Sequence, residues 1–207
     1  MTALPVPPVL VITDRTQAAR PPTDIAATLF ASGLRWLSLR DKDLAFAGRL
    51  ALARDLVALG KPFGATVTVH GDVELALASG AAGVHLGRDG DPAAARERLG
   101  PSALIGVSTH DRASAEAAAC RGADYVTLSP VFLTSSKPGY GPALGLDGLA
   151  AIAAAIPVPV IALGGIDLAN AAACRRTGAA GVALMGLAMR HPEETAGLVQ
   201  DGPPLQK

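Results

Sequence analysis

Eight short runs of aliphatic and β-branched residues recur along this chain of 207 residues, and helix-length, alanine-rich segments lie between them. The runs are Val9 to Thr13, Trp36 to Leu39, Ala65 to Val69, Gly83 to Leu86, Leu104 to Val107, Tyr125 to Leu128, Val158 to Leu163 and Gly181 to Met185. Nearly continuous apolar strands alternating with helices call for a parallel sheet covered by those helices. Eight such units suit closure into a (β/α)8 barrel, with a doubly wound open sheet as the second arrangement. Four junctions repeat one phrase, a helix end giving Gly-x-x and then a strand: Gly33 before Trp36, Gly80 before Gly83, Gly122 before Tyr125 and Gly178 before Gly181. These read as helix C-cap glycines feeding the next strand. Helix starts are also marked, as at Asp91-Pro92, and a stop falls at Gly60.

Half of the residues are hydrophobic, enough at this length for one sizeable core, so a single domain over 1–207 is expected. The connection from Ser129 to Gly145 carries three prolines and three glycines and reads as an active-site lid after the sixth strand. Eighteen basic and eighteen acidic residues balance, which argues against nucleic acid and anionic membrane surfaces as partners. No apolar run is long enough to span a bilayer and no leader pattern opens the chain, so a soluble, cytoplasmic protein is expected. Cys120 and Cys174 lack metal-ligand spacing and read as two buried, reduced thiols.

In a parallel barrel all strand ends open on one face, so the residues just after each strand carry the chemistry. Two glycine-bearing exits, Leu163-Gly164-Gly165-Ile166 and Met185-Gly186-Leu187, follow the last two strands and predict a phosphate cup, with Gly164, Gly165 and Gly186 as its floor. Cations at Arg40, Lys42 and Lys137, with hydroxyls at Thr109, Thr134 and Ser136, suit a substrate bearing more than one phosphate. His70 and His110 end strands at the same face and are acid–base candidates, or else orient a phosphate. His85, inside the apolar run Gly83-Val84-His85-Leu86, is either a hydrogen-bonded barrel histidine or a catalytic one, and His191 reads as solvated.

Taken in order, Val11-Ile12-Thr13-Asp14, Leu37-Ser38-Leu39-Arg40-Asp41-Lys42, Asp72-Val73-Glu74-Leu75-Ala76-Leu77 with Gly83-Val84-His85-Leu86-Gly87, Ile105-Gly106-Val107-Ser108-Thr109-His110, Ser129-Pro130-Val131-Phe132 with Thr134 and Lys137, and Ala162-Leu163-Gly164-Gly165-Ile166 form a pattern across almost the whole chain. It resembles the thiamine phosphate synthase and TenI superfamily. The resemblance implies a (β/α)8 barrel that joins hydroxymethylpyrimidine pyrophosphate to a thiazole phosphate and expels pyrophosphate. It assigns Arg40, Lys42 and Lys137 to the diphosphate, with Lys137 also counted among the catalytic groups, and Gly164, Gly165 and Gly186 to the thiazole phosphate.

The pattern also departs from that family. The family's transferases carry glutamine at the position of Ser38, an Asn-Asp pair at His70-Gly71 and a metal-binding aspartate at Gly90. Glycines thus stand where two Mg²⁺ carboxylates are expected, and Asp72, Asp89 and Asp91 are the neighbouring replacements. TenI-type tautomerases lack such metal ligands but place a catalytic histidine at the position of Pro130. The expected activity is therefore the synthase-type transfer, with a thiazole tautomerase and a non-catalytic phosphate-ligand binder as alternatives. Small phosphorylated substrates are the expected partners, and a homo-oligomer is an open option.

Overall fold

A computed structural model describes residues 2–134 and 141–200. Its strands are β1 (Val9–Ile12), β2 (Trp36–Leu39), β3 (Thr66–His70), β4 (Gly83–Leu86), β5 (Leu104–Thr109), β6 (Tyr125–Leu128), β7 (Val160–Ala162) and β8 (Gly181–Leu184). They are all parallel and run in sequence order around a closed barrel, β1 pairing with β8 through Val9 opposite Val182. Closure excludes the open doubly wound sheet. The helices are α1 (Pro22–Ala31), α2 (Phe46–Gly60), α3 (Val73–Ser79), α4 (Pro92–Leu99), α5 (Arg112–Cys120), α6 (Gly145–Ala155), α7 (Ala171–Arg176), α8 (Gly186–Arg190) and α9 (Pro192–Gln200).

The junction phrase has the conformation its glycines predicted: Gly33, Gly80, Gly122 and Gly178 all have φ between 72° and 105°. At the opposite ends, aspartates start three of the helices. Asp72 accepts from the Leu75 N–H at 2.9 Å, Asp91 from Ala93 and Ala94 at 3.0 and 3.3 Å, and Asp111 from Ser114 at 2.7 Å. Strand ends differ from the sequence reading by a residue or two. β3 extends to His70 and β5 to Thr109, whereas β7 is trimmed to Val160–Ala162.

Strand side chains alternate between two apolar clusters. Val9, Val11, Leu37, Leu39, Val67 and Val69 join the large cluster between sheet and helices. Leu10, Ile12, Trp36, Leu104, Tyr125, Ile161 and Ala183 form a separate cluster inside the barrel. Trp36 and Tyr125 meet edge to face there, with ring centroids 4.7 Å apart. Gly106 is what admits the Tyr125 ring, since a Cβ on it would fall 2.1 Å from that ring. Below this plug, buried Asp124 takes Arg96 at 2.6 Å, the Ile105 N–H at 2.8 Å and the Thr2 N–H at 2.8 Å. One residue departs from the sequence reading of the core. Cys174 is buried as expected, but Cys120, last in α5, is exposed, because that face of the helix turns to solvent.

Candidate active site

The same alternation makes the upper half of the barrel interior polar. Two residues beyond the plug, Ser38, Thr68, His85 and Thr127 are buried, with Ser108 partly so. His85 is the centre of this layer: Nδ1 lies 2.9 Å from the Tyr125 hydroxyl, and Nε2 lies 3.0 Å from Ser108 Oγ and 3.3 Å from Thr127 Oγ1. Burial pushes its pKa from the ordinary 6.5 down to about 3, so the ring is neutral at physiological pH. Burial also pushes the Tyr125 phenol well above its ordinary value, with the Asp124 charge adding to the effect. Of the two readings open for His85, the geometry is that of a hydrogen-bonded barrel histidine. His70, at the end of β3, packs its ring 4.9 Å from the His85 ring.

At the mouth, the ends of β1 and β2 are tied together. Thr13 Oγ1 donates to Asp41 Oδ2 at 2.7 Å and accepts the Arg40 N–H at 2.9 Å, and Asp41 Oδ1 takes the Arg15 N–H at 2.5 Å. Asp41 is therefore a buried bracket that fixes the backbone of Arg40. The Arg40 and Lys42 side chains enter no ion pair among the described residues. A single 3₁₀ turn, Arg15–Gln17, follows β1 and is capped by Asp14. Burial raises the Asp14 pKa, but hydrogen bonds from Thr16 and Gln17 and the Arg40 charge outweigh it and hold the carboxyl below its ordinary value.

On the other side of the mouth lies a cavity of about 380 Å³, lined by Ser129, Pro130 and Thr134 after β6, Gly164 and Gly165 after β7, and Gly186 after β8. The three cup glycines are thus brought together. Their reasons for being glycine differ. A Cβ on Gly164 would meet Pro130 Cα at 2.8 Å, and one on Gly165 would meet the Leu133 carbonyl at 2.7 Å, so both make room for the backbone after β6. A Cβ on Gly186 would instead meet side-chain tips, those of Arg190 and Gln17.

The remaining sequence candidates fall as follows. Thr134 lines the cup rather than the β2 side of the mouth. Thr109 is fully buried and donates to the Thr127 carbonyl at 3.0 Å, so its hydroxyl is spent within the sheet and Ser108 is the β5 residue that faces inward; the assignment of Thr109 to a diphosphate is corrected accordingly. His110 places Nδ1 2.8 Å from the Ser129 carbonyl and is thereby anchored to the cup side, so Nδ1 carries the proton. Ser136 and Lys137 lie outside the described residues. His191 is exposed and lies 3.6 Å from Glu194.

Of the aspartates proposed to replace missing metal ligands, Asp72 is fully engaged and Asp91 is engaged through one oxygen. Asp72 spends one oxygen on the α3 cap and the other on Arg49 at 3.1 Å, Asp91 caps α4, and Asp89 stands exposed between Gly87 and Gly90. Among the described residues no group of three or more His, Cys, Asp or Glu is placed to hold a metal ion; Mg²⁺ is ordinarily held by one or two carboxylates, with water and substrate phosphates completing its shell. Gln17 and Arg190 were not singled out by the sequence. Arg190's signal was its four-residue spacing from Gly186 on one helix, and Gln17 had none.

The fold and the mouth define a (β/α)8 barrel with a glycine-floored cavity of about 380 Å³ after its last two strands. The family model described as thiamine monophosphate synthase matches residues 9–187. The chain belongs to that family. A protein of Geobacter sulfurreducens is 47% identical over 88% of this chain and 86% of its own. The thiamine-phosphate synthase of Roseiflexus sp. RS-1 is 41% identical over 91% of this chain and 80% of its own. Among solved structures, thiamine phosphate pyrophosphorylase from Pyrococcus furiosus superposes with a TM-score of 0.82 at 28% identity, covering 95% of this chain and 96% of that one. No helix among the described residues is long and apolar enough to cross a membrane.

Proposed function

We propose that this chain is a transferase of thiamine phosphate synthesis, joining a hydroxymethylpyrimidine diphosphate to a thiazole phosphate with release of diphosphate. What supports the reading is the joint presence, in a chain of this family, of the glycine-floored cavity after β6–β8 and of Arg40, with its bracketed backbone, and Lys42 at the end of β2.

In this transfer the bond between the pyrimidine's methylene carbon and the diphosphate oxygen breaks, and its electron pair leaves with the diphosphate. The lone pair of the thiazole nitrogen then forms the new C–N bond, giving the thiazolium of the product. No proton has to move. The protein's tasks are to hold the leaving charge, to hold the nucleophile in line and to keep water from the cationic carbon. Arg40 and Lys42, with Ser136 and Lys137 farther along the sequence after β6, are assigned to the diphosphate, and the cup with Thr134 to the thiazole phosphate. His70 and His110 are assigned orienting contacts rather than acid–base work, since the balance calls for none. A neutral His85 suits this chemistry, because burial keeps a second positive charge away from the developing cation.

Small phosphorylated substrates, a cytoplasmic location and one catalytic domain over 1–207 follow from the same reading. Turnover with both substrates, with and without Mg²⁺, tests it through the appearance of thiamine phosphate. Its absence in both conditions refutes the transferase reading.

A further inference from the structure

The cup wall carries a cation, Arg190, that pairs with no carboxylate among the described residues. Arg190 ends α8 four residues after Gly186, and helical side chains lean toward the N-terminus, so its guanidinium lies back over the first residue of its own helix. A Cβ on Gly186 would come within 2.8 Å of Nη1 and 2.9 Å of Nη2. The glycine therefore clears a seat for the guanidinium at the cavity wall, where Arg190 is a lining residue.

Its partner there is neutral. Arg190 Nη1 donates to Gln17 Oε1 at 2.9 Å, and Gln17 Nε2 donates to Asp14 Oδ2 at 2.7 Å. Asp14 thus fixes the amide so that its carbonyl oxygen faces the arginine. Arg15, Arg20, Arg49, Arg88, Arg96, Arg98 and Arg112 are all within ion-pair distance of carboxylates, whereas Arg190 has no such pair among the described residues. The carboxylate that lines the cavity, Asp167, is turned to its own loop, accepting from the Ala169 and Asn170 N–H groups at 2.9 and 3.1 Å. A guanidinium held by one amide keeps most of its donors and its whole charge for a ligand, and its planar fork matches two oxygens of a phosphate.

We propose that Arg190 is the side-chain ligand of the cup, seated over Gly186 and aimed by Gln17, and that it selects a phosphate monoester over the corresponding alcohol. Resting on the reading of the cup as the thiazole phosphate site, the assignment predicts where affinity for that substrate comes from. The cup's glycines supply space, and Arg190 supplies charge.

The test is calorimetric binding of thiazole phosphate and of its dephosphorylated alcohol to the unmodified protein, Arg190→Gln and Arg190→Lys. Losing a charge-assisted contact should weaken phosphate-ester binding about tenfold or more in Arg190→Gln, with Arg190→Lys between the two. Affinity for the alcohol should be unchanged in all three. In turnover, KM for thiazole phosphate should rise while KM for the pyrimidine diphosphate stays constant. Equal phosphate-ester affinity in Arg190→Gln, or an equal loss for ester and alcohol, overturns the proposal. So does an unmodified protein that binds neither thiazole phosphate nor inorganic phosphate. If the unmodified protein binds thiazole phosphate but makes no thiamine phosphate, the transferase reading falls while the Arg190 result still decides this assignment.

Discussion

His85 should make the fold sensitive to mild acid. It is 1% exposed, its two ring nitrogens face Tyr125, Ser108 and Thr127, and its pKa is pushed from 6.5 down to about 3. Above pH 6.5 neither the folded nor the unfolded chain protonates this group, and the stability it permits is complete. Between 6.5 and about 3 only the unfolded chain takes up the proton, so stability falls as pH falls, by about 1.4 kcal/mol per unit. From about pH 7 to about pH 5 the loss from this one group should be about 2 kcal/mol, a large share of a typical domain's 5–15 kcal/mol. Asp14 and Asp111, whose carboxyls are held below their ordinary 3.8, stay ionised in the folded chain between pH 7 and pH 5. Urea unfolding at the two pH values, for the unmodified protein and His85→Gln, isolates the effect. His70, whose ring packs against that of His85, is present in both proteins. His85→Gln should be less stable at neutral pH, having lost a hydrogen-bonded ring, but should lose about 2 kcal/mol less on acidification. Parallel losses in the two proteins would refute the argument that His85 is buried and neutral.

Three further outcomes follow from the mouth. Arg40→Ala should raise KM for the pyrimidine diphosphate about tenfold to a hundredfold, for the loss of one or more charge-assisted hydrogen bonds, and an unchanged KM would remove Arg40 from that role. Asp41→Asn keeps the shape of the bracket but cannot accept from both Thr13 Oγ1 and the Arg15 N–H; about 1.5–3 kcal/mol should be lost, read as a fall in melting temperature of roughly 3–12 °C, together with a higher KM for the diphosphate. Gly186→Ala meets only the movable tips of Arg190 and Gln17, so the melting temperature should hold within about 2 °C while thiazole phosphate binding weakens about as much as in Arg190→Gln. A stable Gly186→Ala protein with full affinity would contradict the seat described for the guanidinium.

The barrel was legible because parallel strands buried on both faces are almost uninterrupted apolar runs, and the Gly-x-x entry marks the helix end before each of four strands. Boundaries were less so. His70 and Thr109 are polar, yet each continues its strand: the Gly71 N–H donates to the His85 carbonyl, and the Thr109 hydroxyl caps the Thr127 carbonyl. Polarity at a strand end therefore mimicked a loop. The exposed Cys120 was missed for a related reason, since in an alanine-rich helix such as Ala113-Ser114-Ala115-Glu116-Ala117-Ala118-Ala119 small residues occur on every face and periodicity carries little information.

At the site, chain order identified the cup glycines but not why each is a glycine. Gly164 and Gly165 read the same as Gly186 in the sequence. In the fold the first pair yields to the backbone after β6, and only Gly186 yields to side chains that a ligand can recruit. A Gly165→Val change would therefore strike the Leu133 carbonyl, at a residue whose φ of 64° disfavours any side chain, and would report on packing of the β6 loop as much as on the phosphate. The same limit applies to charge. Arg190 sits in a segment that looks like an ordinary amphipathic helix end, and Asp72 and Asp91 look like metal ligands by their nearness to Gly71 and Gly90. Which charges remain available to a ligand is decided by partners far away in sequence. Arg49 neutralises Asp72, while Gln17, 173 residues from Arg190, holds the arginine without neutralising it.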